Sequence, residues 1–243
     1  MGRGVPRAQA RREGQEVTSD EQKAAAGAAA AALVEDGMIV GLGSGSTSAA
    51  FVRALAPRRL NVRGVATSQI TAALAGSLGM VLIDLDAAGA IDLTVDGADE
   101  IGPGLSLIKG GGAALLREKL VWTASRRCVV VAEAAKPHPV LGAYPLPIEV
   151  IAFGHTHTAA RIVAAAREIG VDAAPVLRLA EGAPVRTDSG NLIYDLPCGV
   201  IEDPPALAAA LKSVTGVVEH GLFLGLAERA LIGRDDGVIT LYP

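Results

Sequence analysis

The chain alternates short apolar segments with segments of helical composition. The apolar segments at 38–42, 62–67, 91–95 and 128–132 are rich in Val, Ile, Leu and Ala, and each is bordered by a glycine or a polar residue. Short strands that alternate with helices in this way form parallel βαβ units. The pattern predicts an α/β protein with an open, Rossmann-like, mostly parallel sheet that carries helices on both faces.

The order of the elements changes after a proline-rich stretch at 142–147. From there the sequence predicts strand, helix, strand, strand, helix and a last strand at 217–224, which is the ferredoxin-like order. We therefore expect a small α+β domain over residues 144–217. The tail contains short strands that can rejoin the first sheet, so the larger α/β domain is expected to comprise 19–143 and 218–243.

The first 18 residues precede the first predicted helix. They include four arginines and have no apolar periodicity, and they lack the apolar core of a secretory signal. We expect a disordered basic extension over residues 1–18. Ordered structure is expected from Ser19, because Ser19 and Gln22 have the spacing of a capping box.

The charge and cysteine content exclude several classes of function. A net charge of −4 gives no basic surface for nucleic acid, and no apolar run reaches the ~20 residues that span a bilayer. The two cysteines, Cys128 and Cys198, do not form a CxxC pair. We expect a cytoplasmic protein that binds neither nucleic acid nor membrane.

A loop rich in Gly and Ser, GLGSGST at 41–47, follows the first predicted strand and precedes a helix expected at 48–55. Glycines expose backbone N–H groups, and a helix N-terminus adds a positive dipole end, so the loop suits a phosphate. Ser46 occupies the third glycine position of the dinucleotide fingerprint, and no P-loop lysine follows. The alternative is a plain strand-to-helix turn.

Two acidic residues, Asp96 and Asp99, follow the strand at 91–95. Ligands of open α/β sheets bind outside the carboxyl ends of the strands, so these carboxylates could move protons or hold a metal. An Asx-type turn explains the same residues equally well.

A third segment, 108–119, contains Lys109, three consecutive glycines at 110–112, and Glu118. Consecutive glycines allow the backbone to approach a ligand and to offer several N–H donors, which together with a lysine can stabilise an oxyanion. Taken alone, Glu118 is better explained as a solvated helix residue. Because all three segments follow strands of one sheet, they can converge on one crevice.

The three segments resemble, in sequence and in order, the signature segments of type A ribose-5-phosphate isomerases. The resemblance extends from about residue 19 to the C-terminus. It includes supporting matches at 67–68, 132–136 and 145–150. Ser44 stands where the family often has threonine, and the hydroxyl is retained.

The resemblance implies an enzyme without metal or other cofactor that interconverts D-ribose 5-phosphate and D-ribulose 5-phosphate through an enediolate, in the non-oxidative pentose phosphate pathway. Glu118 would be the general base, and Asp96 would help to open the sugar ring and contact its hydroxyls. Asp99 and Lys109 would hold the enediolate oxygens. The implied substrate-binding residues are Lys23, Ser44, Gly45, Ser46, Thr47, Asp96, Gly97, Ala98, Asp99, Lys109, Gly110, Gly111, Gly112 and Lys136.

A sugar-phosphate sensor without catalysis is the main alternative, since related α/β folds can bind sugar phosphates for regulation. A sensor has no need of Glu118 together with Asp96 and Lys109. The family resemblance also implies a homodimer or homotetramer.

Overall fold

The computed structural model describes residues 17–243, and the predicted disordered extension falls largely on residues 1–16, outside the described part. No helix among the described residues is both long enough and apolar enough to cross a membrane. The helices of the described part are α1 (Ser19–Ala31), α2 (Ser46–Leu55), α3 (Gln69–Ser77), α4 (Leu85–Ala88), α5 (Leu115–Thr123), α6 (His155–Glu168) and α7 (Pro204–Lys212).

The strands of the described part fall into one large and three small sheets. They are β1 (Ile39–Leu42), β2 (Arg63–Ala66), β3 (Val81–Leu82), β4 (Leu93–Asp96), β5 (Glu100–Ile101), β6 (Leu107–Ile108), β7 (Cys128–Glu133), β8 (Leu146–Val150), β9 (Val176–Leu177), β10 (Leu179–Ala180), β11 (Ala183–Pro184), β12 (Leu192–Leu196), β13 (Val217–His220), β14 (Leu222–Phe223), β15 (Arg229–Arg234) and β16 (Gly237–Leu241).

The large sheet has the strand order β16-β15-β7-β4-β1-β2-β3, and its strands are parallel except for the pair β15–β16. The chain leaves β1 for β2 and β3 on one side and then returns to β4 on the other side. The strand order therefore reverses between β1 and β4, where open α/β sheets bind their ligands. The predicted Rossmann-like, mostly parallel sheet is confirmed.

Both faces of the large sheet are covered. On one face, α1 and α2 pack against the strands, and Phe51 joins Leu42 and Val95 in a fully buried aliphatic cluster. On the other face, Trp122 of α5 packs edge-on against Phe223, with 5.5 Å between the ring centroids. Burying a large apolar side chain contributes about 1.5–3 kcal/mol, so these layers hold the strand ends rigidly in register.

Helix α1 begins with a capping box one residue earlier than expected. The cap is Thr18, not Ser19: its hydroxyl accepts from the Glu21 N–H at 3.3 Å, and the Glu21 carboxylate accepts from the Thr18 N–H at 2.8 Å. The expected pair of Ser19 and Gln22 is wrong because the Glu21 carboxylate is a stronger acceptor for the cap than a Gln amide at the next position.

The four-stranded small sheet has the order β13-β8-β12-β9 and is antiparallel throughout. Together with α6 and α7 its strands follow the chain order βαββαβ that the sequence predicts. The buried side chains of Ile148, Ile162, Leu207 and Leu211 form part of its core. This second core lies beside the carboxyl-end loops of the large sheet.

The strand expected at 217–224 is two strands, because the chain passes from the small sheet to another sheet at Gly221. β13 pairs with β8, whereas β14 pairs with β6. The Gly221 N–H donates to the Pro147 carbonyl at 2.7 Å, and its carbonyl accepts from the Lys109 N–H at 2.8 Å. A Cβ at Gly221 would lie 2.2 Å from the Lys109 carbonyl oxygen, so only glycine fits this crossing.

The contact between α1 and α2 yields a matched pair of glycine tests. A Cβ at Gly27 would lie 2.6 Å from the Phe51 nitrogen, whereas a Cβ at Gly76 in α3 would meet nothing within 4 Å. We expect Gly27→Ala to lower the free energy of unfolding by about 1–3 kcal/mol, because backbone cannot move aside cheaply. Gly76→Ala should raise it by about 0.5–1 kcal/mol. Urea unfolding of both variants measures the difference, and equal effects would contradict the packing described.

Candidate active site

The loop between β1 and α2 is shaped by its glycines. A Cβ at Gly43 would lie 2.1 Å from the Asp96 carboxylate, and Gly45 has a φ of +92°. Helix α2 begins at Ser46, two residues earlier than expected, so Ser46 and Thr47 form its first turn. The free N–H groups and dipole of a helix start favour an anion. The Ser44 hydroxyl lies 2.8 Å from the Thr67 hydroxyl, which holds the side chain in place.

Asp96, at the end of β4, is completely buried and lies behind the cavity rather than in its wall. Its Oδ1 accepts from the Ser44 N–H at 3.0 Å, the Ser48 hydroxyl at 3.0 Å and the Gly97 N–H at 2.8 Å. Its Oδ2 lies 3.3 Å from the Trp122 Nε1 and 3.1 Å from the Lys109 Nζ. Both carboxylate oxygens are therefore engaged by the protein.

Lys109 follows β6 and joins the two carboxylates of the site. Its Nζ lies 3.1 Å from Asp96 Oδ2 and 3.3 Å from Glu118 Oε2, and it donates to the Gly97 carbonyl at 2.7 Å. Burial alone would lower the pKa of Lys109, but the carboxylates of Asp96 and Glu118 outweigh this effect and raise it. The ammonium group is therefore charged at neutral pH.

Glu118 lies in the first turn and a half of α5 and is 4% exposed. Its Oε2 is close to Lys109 but accepts no well-directed hydrogen bond within residues 17–243. Burial, and next the charge of Asp96, raise the pKa of Glu118 to about 8, against the opposing effect of Lys109. A carboxylate in this environment is a stronger base than an exposed one.

The three glycines form a loop whose first residue, Gly110, has a φ of +110°. The Gly111 N–H donates to Asp99 Oδ2 at 2.8 Å. A Cβ at Gly111 would lie 2.6 Å from the Tyr144 hydroxyl oxygen, so the close packing of the loop requires glycine. This packing places the backbone of the loop in the cavity wall.

A cavity of about 220 Å³ lies at the carboxyl ends of β1 and β4. It brings together every sequence-predicted site residue except the buried Asp96, and it adds Glu133. The lining residues are Lys23, Ser44, Gly45, Ser46, Thr47, Gly97, Ala98, Asp99, Lys109, Gly110, Gly111, Gly112, Glu118, Glu133 and Lys136.

Glu133 was missed by sequence reasoning, although its position gave a signal. It is the last residue of β7, the strand next to β4, so its carboxyl end opens on the same edge of the sheet. Its Oε1 lies 3.8 Å from the Lys136 Nζ. Glu133 therefore orients one of the two lysines at the outer end of the cavity.

The cavity has two chemically different ends. Lys23, Lys136 and the start of α2 can hold an anion. Glu118 can exchange a proton beside Lys109 and the glycine loop, which can hold a negatively charged oxygen. The arrangement suits a phosphorylated substrate in which a proton bound to carbon is moved.

Comparison with known proteins agrees with this chemistry. Residues 63–237 match the family described as ribose 5-phosphate isomerase A (phosphoriboisomerase A). A ribose-5-phosphate isomerase A from Caulobacter vibrioides is 64% identical over 228 residues, which cover 93% of this chain and 100% of that protein.

Two solved structures have the same fold over nearly their whole length. Ribose 5-phosphate isomerase A from Neisseria gonorrhoeae matches with a TM-score of 0.87 at 30% identity, covering 94% of this chain and 99% of that one. A D-ribose-5-phosphate isomerase in complex with phospho-erythronic acid matches with a TM-score of 0.86 at 34% identity, covering 93% and 100%. The chain belongs to the ribose 5-phosphate isomerase A family.

Proposed function

We propose that the chain interconverts D-ribose 5-phosphate and D-ribulose 5-phosphate by proton transfer through an enediolate. The observation that carries the proposal is Glu118: a buried carboxylate with a raised pKa, 3.3 Å from Lys109, in the same cavity as an anion site. Binding a sugar phosphate requires the anion site alone. Moving a proton bound to carbon also requires the base and the cation.

The phosphate is assigned to the outer end of the cavity. Ser46 and Thr47 supply hydroxyls and helix-start N–H groups, and Lys23 and Lys136 supply positive charge. Fixing the phosphate orients the sugar, so that its carbonyl end reaches Glu118. Binding energy from this remote group can then assist the reacting end.

The isomerisation is assigned to Glu118 and its neighbours. The Glu118 carboxylate takes the proton from carbon 2 of the open-chain aldose, and the electron pair moves onto the carbonyl oxygen to form the enediolate. Lys109, Asp99 and the loop at 110–112 hold the two oxygens. Glu118 then returns the proton to carbon 1, while the oxygen on carbon 2 gives up its hydroxyl proton and the oxygen on carbon 1 gains one. This second proton passes between the two oxygens by way of groups in the cavity wall such as Asp99, and the product is the ketose.

Asp96 is assigned a different role from the one that the resemblance implies. Its complete burial and its five protein partners leave no free oxygen for sugar hydroxyls. We assign to it the positioning of Lys109 and the maintenance of the lysine's charge. Ring opening, in this assignment, falls to groups in the cavity wall such as Asp99.

A related solved structure supports a substrate of this kind. The related isomerase bound to phospho-erythronic acid holds a molecule that has a phosphate and a carboxylic acid. A carboxylate resembles the paired oxygens of an enediolate, which fits a cavity with an anion site at each end.

We propose that no metal or other cofactor takes part, since Lys109 supplies the positive charge beside the reacting oxygens. A sensor without catalysis is not favoured.

We propose, from the family membership, a cytoplasmic enzyme that forms a homodimer or homotetramer. We also propose that residues 19–143 and 218–243 form the catalytic domain and that residues 144–217 form a small α+β domain. The separate buried cores of the large sheet and of the four-stranded sheet support this division.

Glu118→Gln tests the assignment of the base, because it keeps the shape of the side chain and removes its basicity. We expect kcat for ribose 5-phosphate to fall by about 10²–10⁴-fold, with binding of phospho-erythronic acid largely retained. Glu168→Gln, at an exposed position in α6, is the matched control and should be fully active. A kcat within a few-fold of wild type would remove Glu118 from the mechanism.

The pH profile follows from the raised pKa of Glu118. The base acts only when deprotonated, so kcat/KM should rise as the pH increases and level off above about 8, the pKa of this carboxyl. Initial rates at saturating and at low substrate, measured across the pH range, give the pH profiles of kcat and of kcat/KM. A profile that is already flat well below that pH would show that Glu118 titrates at the ordinary value for a glutamate.

Solvent deuterium distinguishes proton transfer from a direct hydride shift. While the enediolate exists, the proton on the Glu118 carboxyl can exchange with water, so turnover in deuterated water should place deuterium on carbon 1 or carbon 2. A hydride shift carries the hydrogen directly and admits no label. Mass spectrometry and NMR of both sugar phosphates after lengthy equilibration provide the measurement. Complete conversion without label would refute the proton-transfer mechanism.

A further inference from the structure

Arg178 reaches the glycine loop from the small sheet. It lies directly after β9, and its side chain is 16% exposed. One guanidinium nitrogen, Nη1, donates to the Gly110 carbonyl at 2.9 Å and to the Gly111 carbonyl at 3.0 Å. The other two nitrogens bind both oxygens of Asp195 in β12. Arg178 thus joins the small sheet to the loop that lines the cavity.

The planarity of the peptide bond makes this contact directional. In a trans peptide the carbonyl of one residue and the N–H of the next point in opposite directions. Because Arg178 draws the carbonyls of Gly110 and Gly111 toward the small sheet, the N–H groups of Gly111 and Gly112 point away from it. The first of these N–H groups donates to Asp99, which lines the cavity.

Besides Arg178, the peptide groups of the loop are held by the Ala113 N–H, which donates to the Gly110 carbonyl at 3.0 Å, and by Asp99, which accepts from the Gly111 N–H at 2.8 Å. Three successive glycines have no side chains and a wide choice of backbone conformations. The guanidinium itself is held firmly, because Asp195 binds it in a two-pronged ion pair that an ammonium group could not reproduce. Burial would lower the pKa of Arg178, but Asp195 outweighs this and raises it, so the group stays charged.

A cation on the carbonyl also strengthens the N–H of the same peptide as a donor, since hydrogen bonds in series polarise one another. The N–H group of Gly112, which lines the cavity, is therefore both oriented and strengthened as a donor, and the N–H group of Gly111 is strengthened in its bond to Asp99. Such aimed donors stabilise an oxyanion without reorganising during the reaction.

We propose that Arg178, held by Asp195, is a positioning residue for the isomerisation, which aims the N–H group of Gly112 at the enediolate oxygens and keeps the N–H group of Gly111 on Asp99. Arg178 does not line the cavity and touches no substrate in this assignment. The inference rests on the proposed isomerase function. It predicts that losing Arg178 impairs the reaction more than the binding of the phosphate.

The test compares Arg178→Met, Arg178→Lys and Asp195→Asn with a control variant in α6. Arg167→Met removes an arginine whose ion pair with Asp172, at 2.8 Å, is exposed to solvent. For each protein the measurements are kcat and KM for ribose 5-phosphate, the inhibition constant of phospho-erythronic acid, and Tm. Asp195→Asn retains the side-chain shape and covers the case in which Arg178→Met does not fold.

We expect Arg178→Met to lower kcat by about 10–100-fold, the range that small misplacement of aligned groups produces, with KM changed only a few-fold. Phospho-erythronic acid should bind more weakly to it by a similar factor. Asp195→Asn and Arg178→Lys should show the same pattern to a smaller degree. The Arg167→Met control should match wild type in every measurement.

The outcomes separate this inference from the function on which it rests. A wild-type protein that does not isomerise ribose 5-phosphate would overturn both. An active wild type with unchanged kcat and inhibition constant in the Arg178 variants would overturn the positioning role alone. Losses that follow Tm, or a rise in KM as large as the fall in kcat, would likewise overturn it and leave a structural role only.

Discussion

The buried ion cluster of Asp96, Lys109 and Glu118 is the interaction on which the site depends. One ammonium group lies within 3.3 Å of two carboxylates, and all three side chains are nearly inaccessible to water. Breaking a buried ion pair by removing one partner typically costs about 3–5 kcal/mol, because a charge is left uncompensated. The cluster is tolerated because Asp96 is saturated with hydrogen bonds, which leaves Lys109 to be shared with Glu118. Burial and the charge of Asp96 outweigh the effect of Lys109 on Glu118, so the pKa of Glu118 is raised and its carboxylate is basic.

The topology of the large sheet explains why these groups meet. Gly43 follows β1 and Asp96 ends β4, the two strands between which the strand order reverses. Helices on both sides of the sheet leave a crevice at that point, so a loop from each strand reaches the same space. The small β6 strand then brings Lys109 into it through its pairing with β14. The strand order therefore brings the groups of the site together at the carboxyl edge of the large sheet.

Much of this arrangement follows from local sequence. Apolar strands alternating with helices predict the parallel sheet, and strand-end glycines and carboxylates predict where ligands bind. The sequence does not reveal which carboxylate faces the cavity. Asp96 and Asp99 are three residues apart, and only the structure shows that the oxygens of Asp96 are fully engaged by the protein whereas Asp99 lines the cavity. The contact of Arg178 with the glycine loop could not be predicted from the sequence, for another reason. Arg178 lies 68 and 67 residues from its carbonyl partners, and long-range contacts to backbone have no residue-type signature. The start of α1 shows that sequence prediction is limited at short range too. The capping patterns that begin at Thr18 and at Ser19 overlap and differ by one position.

The crossing of the chain at Gly221 has a consequence for synthesis. The groups assigned to chemistry and to phosphate binding lie between Lys23 and Lys136, in the first part of the chain to leave the ribosome. Part of what holds them comes much later: Lys119 of α5 donates to the carbonyls of His220 and Leu222, 101 and 103 residues farther along. A growing chain therefore carries all the groups assigned to the reaction long before it contains the residues that hold α5 in place. The site can be completed only when almost the whole polypeptide has emerged, so an unfinished chain holds no assembled form of it.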